Sequence, residues 1–222
     1  MTEPTAPRAV LWDLDGTLAD STQLHWQAWR ELMESLGRPL TYEQFTATFG
    51  LTNRDIVPRF LGREATEAEI RQIGGAKEQR YRDLVNQGIV WPMPGVLDWL
   101  KRLQGAGWKQ AVGTSAPRAN VSTLLSAMGL APWFDAIVSA DDVTHGKPDP
   151  EIFLKAAARL GVPPERCVVV EDAPAGIEAA RRGGMRSIAC QAWHPDLAGD
   201  LSAVTLDQLP EDAFDRLVPA AR

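Results

Sequence analysis

The chain has 222 residues, enough for one domain of ordinary size and a smaller one. Hydrophobic residues make up 45% and charged residues 23%, a balance that argues against disorder of the whole chain. A net charge of −6 and a pI near 5.1 argue against the basic face that non-specific nucleic-acid binding needs, while leaving room for a local cationic pocket.

Met1 to Arg8 carry no apolar core and do not read as a signal peptide. The first predicted element is a short buried strand, Ala9 to Asp13, broken at once by Gly16 and Thr17. Residues 21–86 carry helical signals and no convincing strand. Leu24, Ala28, Leu32 and Leu36 recur every fourth residue as one apolar stripe, and Gly37 ends that helix. Thr41-x-x-Gln44 and Thr66-x-x-Glu69 both fit a capping box.

From Gly88 onward strands and helices alternate. The predicted strands are Lys109 to Gly113, Ala136 to Ser139, Cys167 to Glu171 and Met185 to Ala189, with an edge strand at Ala203 to Leu206. Helices are expected over Pro94 to Leu103, Asn120 to Met128 and Ala173 to Arg182, and from Pro150, capped by Asp149, to Gly161. Such alternation implies right-handed βαβ units. The predicted fold is α/β: a Rossmann-like parallel sheet core with an inserted all-helical cap domain. The core is discontinuous, residues 1–20 and 87–222, and the cap is residues 21–86.

No run approaches the roughly 20 apolar residues that cross a bilayer. Cys167 and Cys190 sit in no CxxC or zinc-ligand spacing and read as buried thiols in a reducing compartment. The expectation is a cytoplasmic protein with no membrane or nucleic-acid partner, a monomer or weak homo-oligomer.

Polar residues follow the strands in a pattern. Asp13 and Asp15 follow the first, Thr114 and Ser115 the second, Asp141, Asp142 and Lys147 the third, Glu171 and Asp172 the fourth. Ligands of open parallel sheets bind beyond the carboxyl ends of the strands, so these loops deliver carboxylates, hydroxyls and a lysine to one edge. Asp13, Asp15, Glu171 and Asp172 would repel one another unless protonated or neutralised by a cation. An oxygen-only donor set implies a hard ion, and magnesium suits carboxylates that share a site with water and a substrate phosphate.

Asp13-Leu14-Asp15-Gly16-Thr17-Leu18 resembles the first motif of the haloacid dehalogenase superfamily of phosphotransferases. Thr114 stands where that superfamily has its second-motif hydroxyl. Lys147, in Gly146-Lys147-Pro148-Asp149-Pro150, resembles the third motif, and Glu171-Asp172, before Ala173-Pro174-Ala175-Gly176, the fourth. The resemblance implies that Asp13 attacks phosphorus and forms an aspartyl phosphate, and that Asp15 is the general acid and base. It implies that Thr114 and Lys147 hold the transferring oxygens. It also implies Mg2+ bound by Asp13, Asp172, the Asp15 backbone carbonyl and, in support, Glu171. Dehalogenases of this superfamily lack the second aspartate, so Asp15 favours phosphoryl chemistry.

The helical insertion is similar to the small cap of the β-phosphoglucomutase-like branch. Asp20 and His25 resemble its hinge aspartate and cap histidine, Lys77 its cap lysine, and Gly50 to Arg54 its Gly-x-x-Arg substrate loop, with the arginine one residue late. After the second motif the mutase pattern has Ser-Lys-Asn, where this chain has Ala116-Pro117-Arg118. Asp20, His25, Gly50, Arg54, Lys77, Ser115 and Arg118 are therefore the candidate substrate contacts. The altered loop favours a phosphatase of a small phosphorylated metabolite. A sugar phosphate mutase, or an inactive module that binds a phosphorylated ligand, is the alternative.

Overall fold

All four side chains of Ala9–Trp12 (β1) are fully shielded from solvent, as a parallel strand covered on both faces requires. The structure is a computed structural model and describes residues 6–48 and 51–220. Five further strands join β1: Lys109–Gly113 (β2), Ala136–Val138 (β3), Cys167–Glu171 (β4), Arg186–Cys190 (β5) and Leu201–Ala203 (β6). Every pairing is parallel, and the order is β3-β2-β1-β4-β5-β6. The chain therefore builds outward from β1 in one direction, then returns to build outward in the other. The reversal opens a crevice where β1 and β4 lie side by side.

Alternation along the strands divides the core. Val10, Trp12, Val168 and Val170 belong to one apolar cluster; Ala9, Leu11, Cys167 and Val169 belong to another on the opposite face. The helices are Thr22–Ser35 (α1), Tyr42–Thr46 (α2), Asn53–Leu61 (α3), Glu67–Gln87 (α4), Val96–Gly105 (α5), Arg118–Ala127 (α6), Glu151–Leu160 (α7), Pro174–Arg182 (α8) and Ala213–Leu217 (α9). Helices α1 to α4 fall between the first two strands of the chain. Trp29, Met33, Phe45, Ile56, Val57 and Phe60 give them an apolar cluster of their own. Ala28, Tyr81, Leu84 and Val85 instead join the sheet-side cluster, so α1 and α4 each serve two packing layers.

The two chain segments entering and leaving α1 to α4 run side by side. The Asp20 N–H donates to the Trp91 carbonyl at 3.2 Å, and the Met93 N–H donates to the Leu18 carbonyl at 3.0 Å. Both capping boxes are present, at Thr41 with Gln44 and at Thr66 with Glu69.

Two expectations need correction. On α1, Leu24, Ala28 and Leu32 of the expected stripe pack into the apolar clusters, but Trp29 and Met33 are buried beside them, and Leu36, which lies past the last helical residue, is exposed. The edge strand is Leu201–Ala203, earlier than Ala203 to Leu206, because Ile188 pairs with Leu201 and the chain then turns into a 3₁₀ segment at Leu206–Gln208. Trp91 is two-thirds exposed, and its backbone carbonyl serves the chain crossing.

Candidate active site

The crevice at the ends of β1 and β4 gathers the chemistry. The Asp13 N–H extends the ladder to the Val170 carbonyl at 2.9 Å, which fixes where the Asp13 carboxylate leaves the sheet. Glu171 ends β4 and Asp172 follows it. Two glycines make room for these groups. Gly16 has φ +84°, and a Cβ there would lie 2.2 Å from Asp172 Oδ2. A Cβ on Gly176 would lie 1.9 Å from Glu171 Oε1.

Lys147 Nζ lies 2.6 Å from Asp13 Oδ1 and 2.6 Å from Glu171 Oε1, with all three side chains buried. Glu171 Oε2 accepts the Ala173 N–H at 2.7 Å, and Asp172 Oδ1 accepts the Thr17 hydroxyl at 3.2 Å. Asp13, Glu171 and Asp172 each offer an oxygen, and these oxygens lie within 4.8 Å of one another. One lysine does not neutralise three carboxylates. Burial, against the pull of Lys147, raises the Asp13 pKa to about 7, and Glu171 and Asp15 add to the rise. Burial and the charges of Glu171 and Asp13 push Asp172 well above the usual carboxylate range. A divalent cation would reverse both shifts, so the donor set, all oxygen and short of positive charge, fits a hard metal ion.

Asp15 is held differently. Its side chain stands outside the acidic cluster, so only its backbone carbonyl remains a candidate metal contact. Its Oδ1 accepts bonds from Ser21 Oγ at 2.5 Å and from the Tyr81 hydroxyl at 3.2 Å, and His25 Nε2 lies 3.0 Å away. Burial opposes ionisation, but His25, Ser21 and Lys77 outweigh it and lower the Asp15 pKa to about 2. His25 stacks on Tyr81 with ring centroids 4.0 Å apart, and its Nδ1 lies 2.7 Å from Lys77 Nζ. The chain Asp15, His25, Lys77 thus joins a loop of the sheet to helices α1 and α4.

The cleft encloses about 1120 Å³, room for a phosphorylated sugar. Asp13, Asp15, Thr114, Lys147, Glu171 and Asp172 line it together with His25, Arg54, Lys77 and Ser115. Thr114 Oγ1 accepts the Ala116 N–H at 3.1 Å. Two expected substrate contacts lie elsewhere. Asp20 is exposed at the chain crossing. Arg118 donates to the Ile137 carbonyl and pairs with Asp142 at 2.5 Å, because Asp142 is fixed there by Ser139 and Arg159. Arg54 reaches the cleft mouth but pairs with Glu67 in solvent. Gly50 lies outside the described residues.

The sequence reading missed Ser21, Asn53, Glu78, Tyr81 and Asn120. One signal was available. Gly74, Lys77, Glu78, Tyr81, Leu84 and Val85 recur at helical spacing and are the buried face of α4.

No helix among the described residues is long and apolar enough to cross a membrane. The chain is similar to a fructose-1-phosphate phosphatase, YqaB, of Escherichia coli, at 36% identity over 81% of this chain and 94% of that protein. It is 31% identical to a β-phosphoglucomutase of Bacillus subtilis over 92% of this chain and 95% of that one. The crystal structure of CbbY from Rhodobacter sphaeroides in complex with phosphate superposes with a TM-score of 0.84 at 29% identity, covering 94% of this chain and 99% of that one. Residues 7–184 match the family described as haloacid dehalogenase-like hydrolase, and this chain, with its sheet, its helical cap and the carboxylates at their meeting point, belongs to that family.

Proposed function

We propose that the protein is a magnesium-dependent phosphatase of a small phosphorylated metabolite, of the sugar phosphate type, acting through an aspartyl phosphate on Asp13. The observation that carries this reading is the buried Lys147 between Asp13 and Glu171, beside Asp172, at the sheet's reversal point.

Asp13 Oδ attacks phosphorus, and the P–O bond to the leaving group breaks. Asp15 gives a proton to the departing oxygen. A water then attacks phosphorus of the aspartyl phosphate, Asp15 takes its proton, the P–O bond to Asp13 breaks, and inorganic phosphate leaves. Ionised Asp15 is set for the second step. For the first it must acquire a proton, which the dianion of a bound phosphate favours. Ser21, His25 and Tyr81 all converge on Asp15 Oδ1, which leaves Oδ2 for proton transfer. Thr114 and Lys147 bind the transferring oxygens. Asp13, Asp172 and Glu171 would hold magnesium, with the Asp15 carbonyl; when bound, the ion neutralises charge on the phosphoryl group and the carboxylates. The buried free thiols of Cys167 and Cys190 support a reducing, cytoplasmic setting.

The test is hydrolysis of p-nitrophenyl phosphate and a panel of sugar phosphates, with magnesium and with a chelator. Phosphate release that requires magnesium is expected. Absence of release from every ester would overturn the reading. The His25 and Lys77 pair and the mutase relative support isomerisation as a second reading. Formation of glucose 6-phosphate from β-glucose 1-phosphate, without net phosphate release, would establish it. Arg118, committed to Asp142, weighs for hydrolysis.

A further inference from the structure

Lys77 and Lys147 are the lysines buried among the described residues. Lys147 serves the reaction centre. Lys77 lines the cleft on the cap side, where a charged leaving group would seek a cation.

That cation is already engaged. Lys77 Nζ lies 3.1 and 3.2 Å from the two oxygens of Glu78, its neighbour on α4. Glu78 is itself immobilised from two further directions. Its Oε1 accepts Asn53 Nδ2 of α3 at 2.8 Å, and its Oε2 accepts Asn120 Nδ2 of α6 at 2.5 Å. Arg82 donates to Asn120 Oδ1 at 2.9 Å and sets the direction of that amide. Gly74 leaves the space for Asn53, since a Cβ there would lie 3.0 Å from Asn53 Nδ2. Four donor contacts fill the acceptor sites of the carboxylate. Burial opposes its ionisation, but Lys77, His25, Asn53 and Asn120 win, so the pKa is lowered and Glu78 stays charged.

The remaining basic side chains along the cleft are committed as well. Arg54 pairs with Glu67 at 2.8 Å and Arg182 with Glu178 at 2.7 Å. Carboxylates outnumber lysines and arginines among the lining residues. One phosphate dianion can use Lys147 and a metal ion. A second phosphate on the leaving group would meet Glu78 with no buried cation left for it, and like charges in a partly dry site repel. The hydroxyl-bearing Thr52 and Ser115 line the cleft as well, uncharged residues that a hydroxyl-bearing leaving group would meet.

We infer that Glu78 is a specificity residue that cancels the charge of Lys77, restricting the substrate to a phosphate monoester with an uncharged, hydroxyl-bearing leaving group and rejecting bisphosphates. The inference rests on the phosphatase reading and names its substrate class.

The experiment compares kcat/KM for fructose 1-phosphate and fructose 1,6-bisphosphate, with inhibition of p-nitrophenyl phosphate hydrolysis by each as a second measure. The wild type should favour the monophosphate by roughly tenfold or more. Glu78→Gln, which is close to isosteric, should raise the ratio of kcat/KM for the bisphosphate to that for the monophosphate by about tenfold. Adding Lys77→Met to Glu78→Gln should remove that gain, since the charge balance of the wild type is restored. An unchanged ratio in Glu78→Gln overturns the inference and leaves the phosphatase reading standing. So does a wild type indifferent to the second phosphate, a measurement that holds even if the variant does not fold. A wild type that hydrolyses no monoester at all overturns both.

Discussion

Lys147 Nζ sits 2.6 Å from Oδ1 of Asp13, so the nucleophile assigned here is partnered by a buried cation before any substrate arrives. The pair still leaves Asp13 harder to ionise than an ordinary carboxylate, because burial outweighs the lysine. Asp13→Asn removes the attacking oxygen and one member of a crowded acidic group together. Turnover should fall by about 10⁴-fold or more, while the metal-free protein should melt no lower than the wild type. Steady-state kinetics and a thermal melt on the same preparation check both, and an active Asp13→Asn protein would remove Asp13 from its role.

Magnesium should stabilise the fold. Asp13, Glu171 and Asp172 are buried together with one lysine among them, and a cation that binds only the folded chain adds to stability. At about 100 times its dissociation constant the expected gain is ~2.7 kcal/mol. The rise in melting temperature should shrink in Asp172→Ala. Calorimetry with magnesium and with chelator measures it, and equal melting of the wild type in both would contradict a metal at this cluster.

Gly176→Ala sets two effects against each other. Alanine in a helix normally stabilises over glycine, by up to about 1 kcal/mol in the interior and less in the first turn, where Gly176 lies. Here the new methyl would meet Glu171 Oε1 at 1.9 Å, and overpacking of that kind costs about 1–3 kcal/mol. Net destabilisation and weaker magnesium binding are expected. Denaturant titration and isothermal calorimetry are the measurements, and a stabilised protein with unaltered metal affinity is the opposing result.

Asp142 is a structural clamp with a pH signature. Partial burial opposes its ionisation, but Arg159, the Ser139 N–H and hydroxyl, and Arg118 together hold its carboxyl well below the usual carboxylate range. A depressed folded-state pKa gives stabilisation that is complete above about pH 4 and lost as pH falls toward the depressed value. Asp142→Asn should therefore cost about 2 kcal/mol at neutral pH, and the gap to the wild type should close below that pH. Denaturant curves at pH 7 and pH 3 decide it; a gap that widens in acid would be inconsistent with this assignment.

His25→Ala should separate positioning from binding. His25 touches Asp15 and Lys77, so its loss should lower kcat by roughly 10²-fold, the scale of general acid–base assistance, with a smaller effect on KM. The pH profile of kcat should shift as Asp15 loses the partner that most strongly lowers its pKa. Unchanged kinetics would leave the histidine a packing residue for Tyr81.

The sheet and its carboxylates were legible in the sequence because both are local signals. A parallel strand buried on two faces reads as an apolar run, Ala9 to Trp12 or Cys167 to Val170, and the residues just beyond it are committed to one edge. Residues joined by distant pairing were not legible. Glu78 meets Asn53 and Asn120 across 25 and 42 residues, and no local pattern announces such a meeting. Arg118 lies by the expected loop, but its partner Asp142 sits in the turn that follows β3, 24 residues further along the chain. The helical spacing of Lys77, Glu78 and Tyr81 on α4 was the one long-range clue present in plain text.

The side-by-side passage of the chain at Asp20 and Trp91 has a consequence for timing. Helices α1 and α4 carry His25, Tyr81 and Lys77, and they also rest on the sheet side through Ala28, Leu84 and Val85 and through Asn120 of α6. Asp13, Glu171 and Asp172 stand at the ends of β1 and β4, and Lys147 on the loop between β3 and α7. Lifting α1 and α4 would cost that packing and would take His25, Tyr81 and Lys77 away from Asp15 while Asp13 and Lys147 kept their places. Proton handling would then be switched on only while the roof is down, with the nucleophile ready throughout.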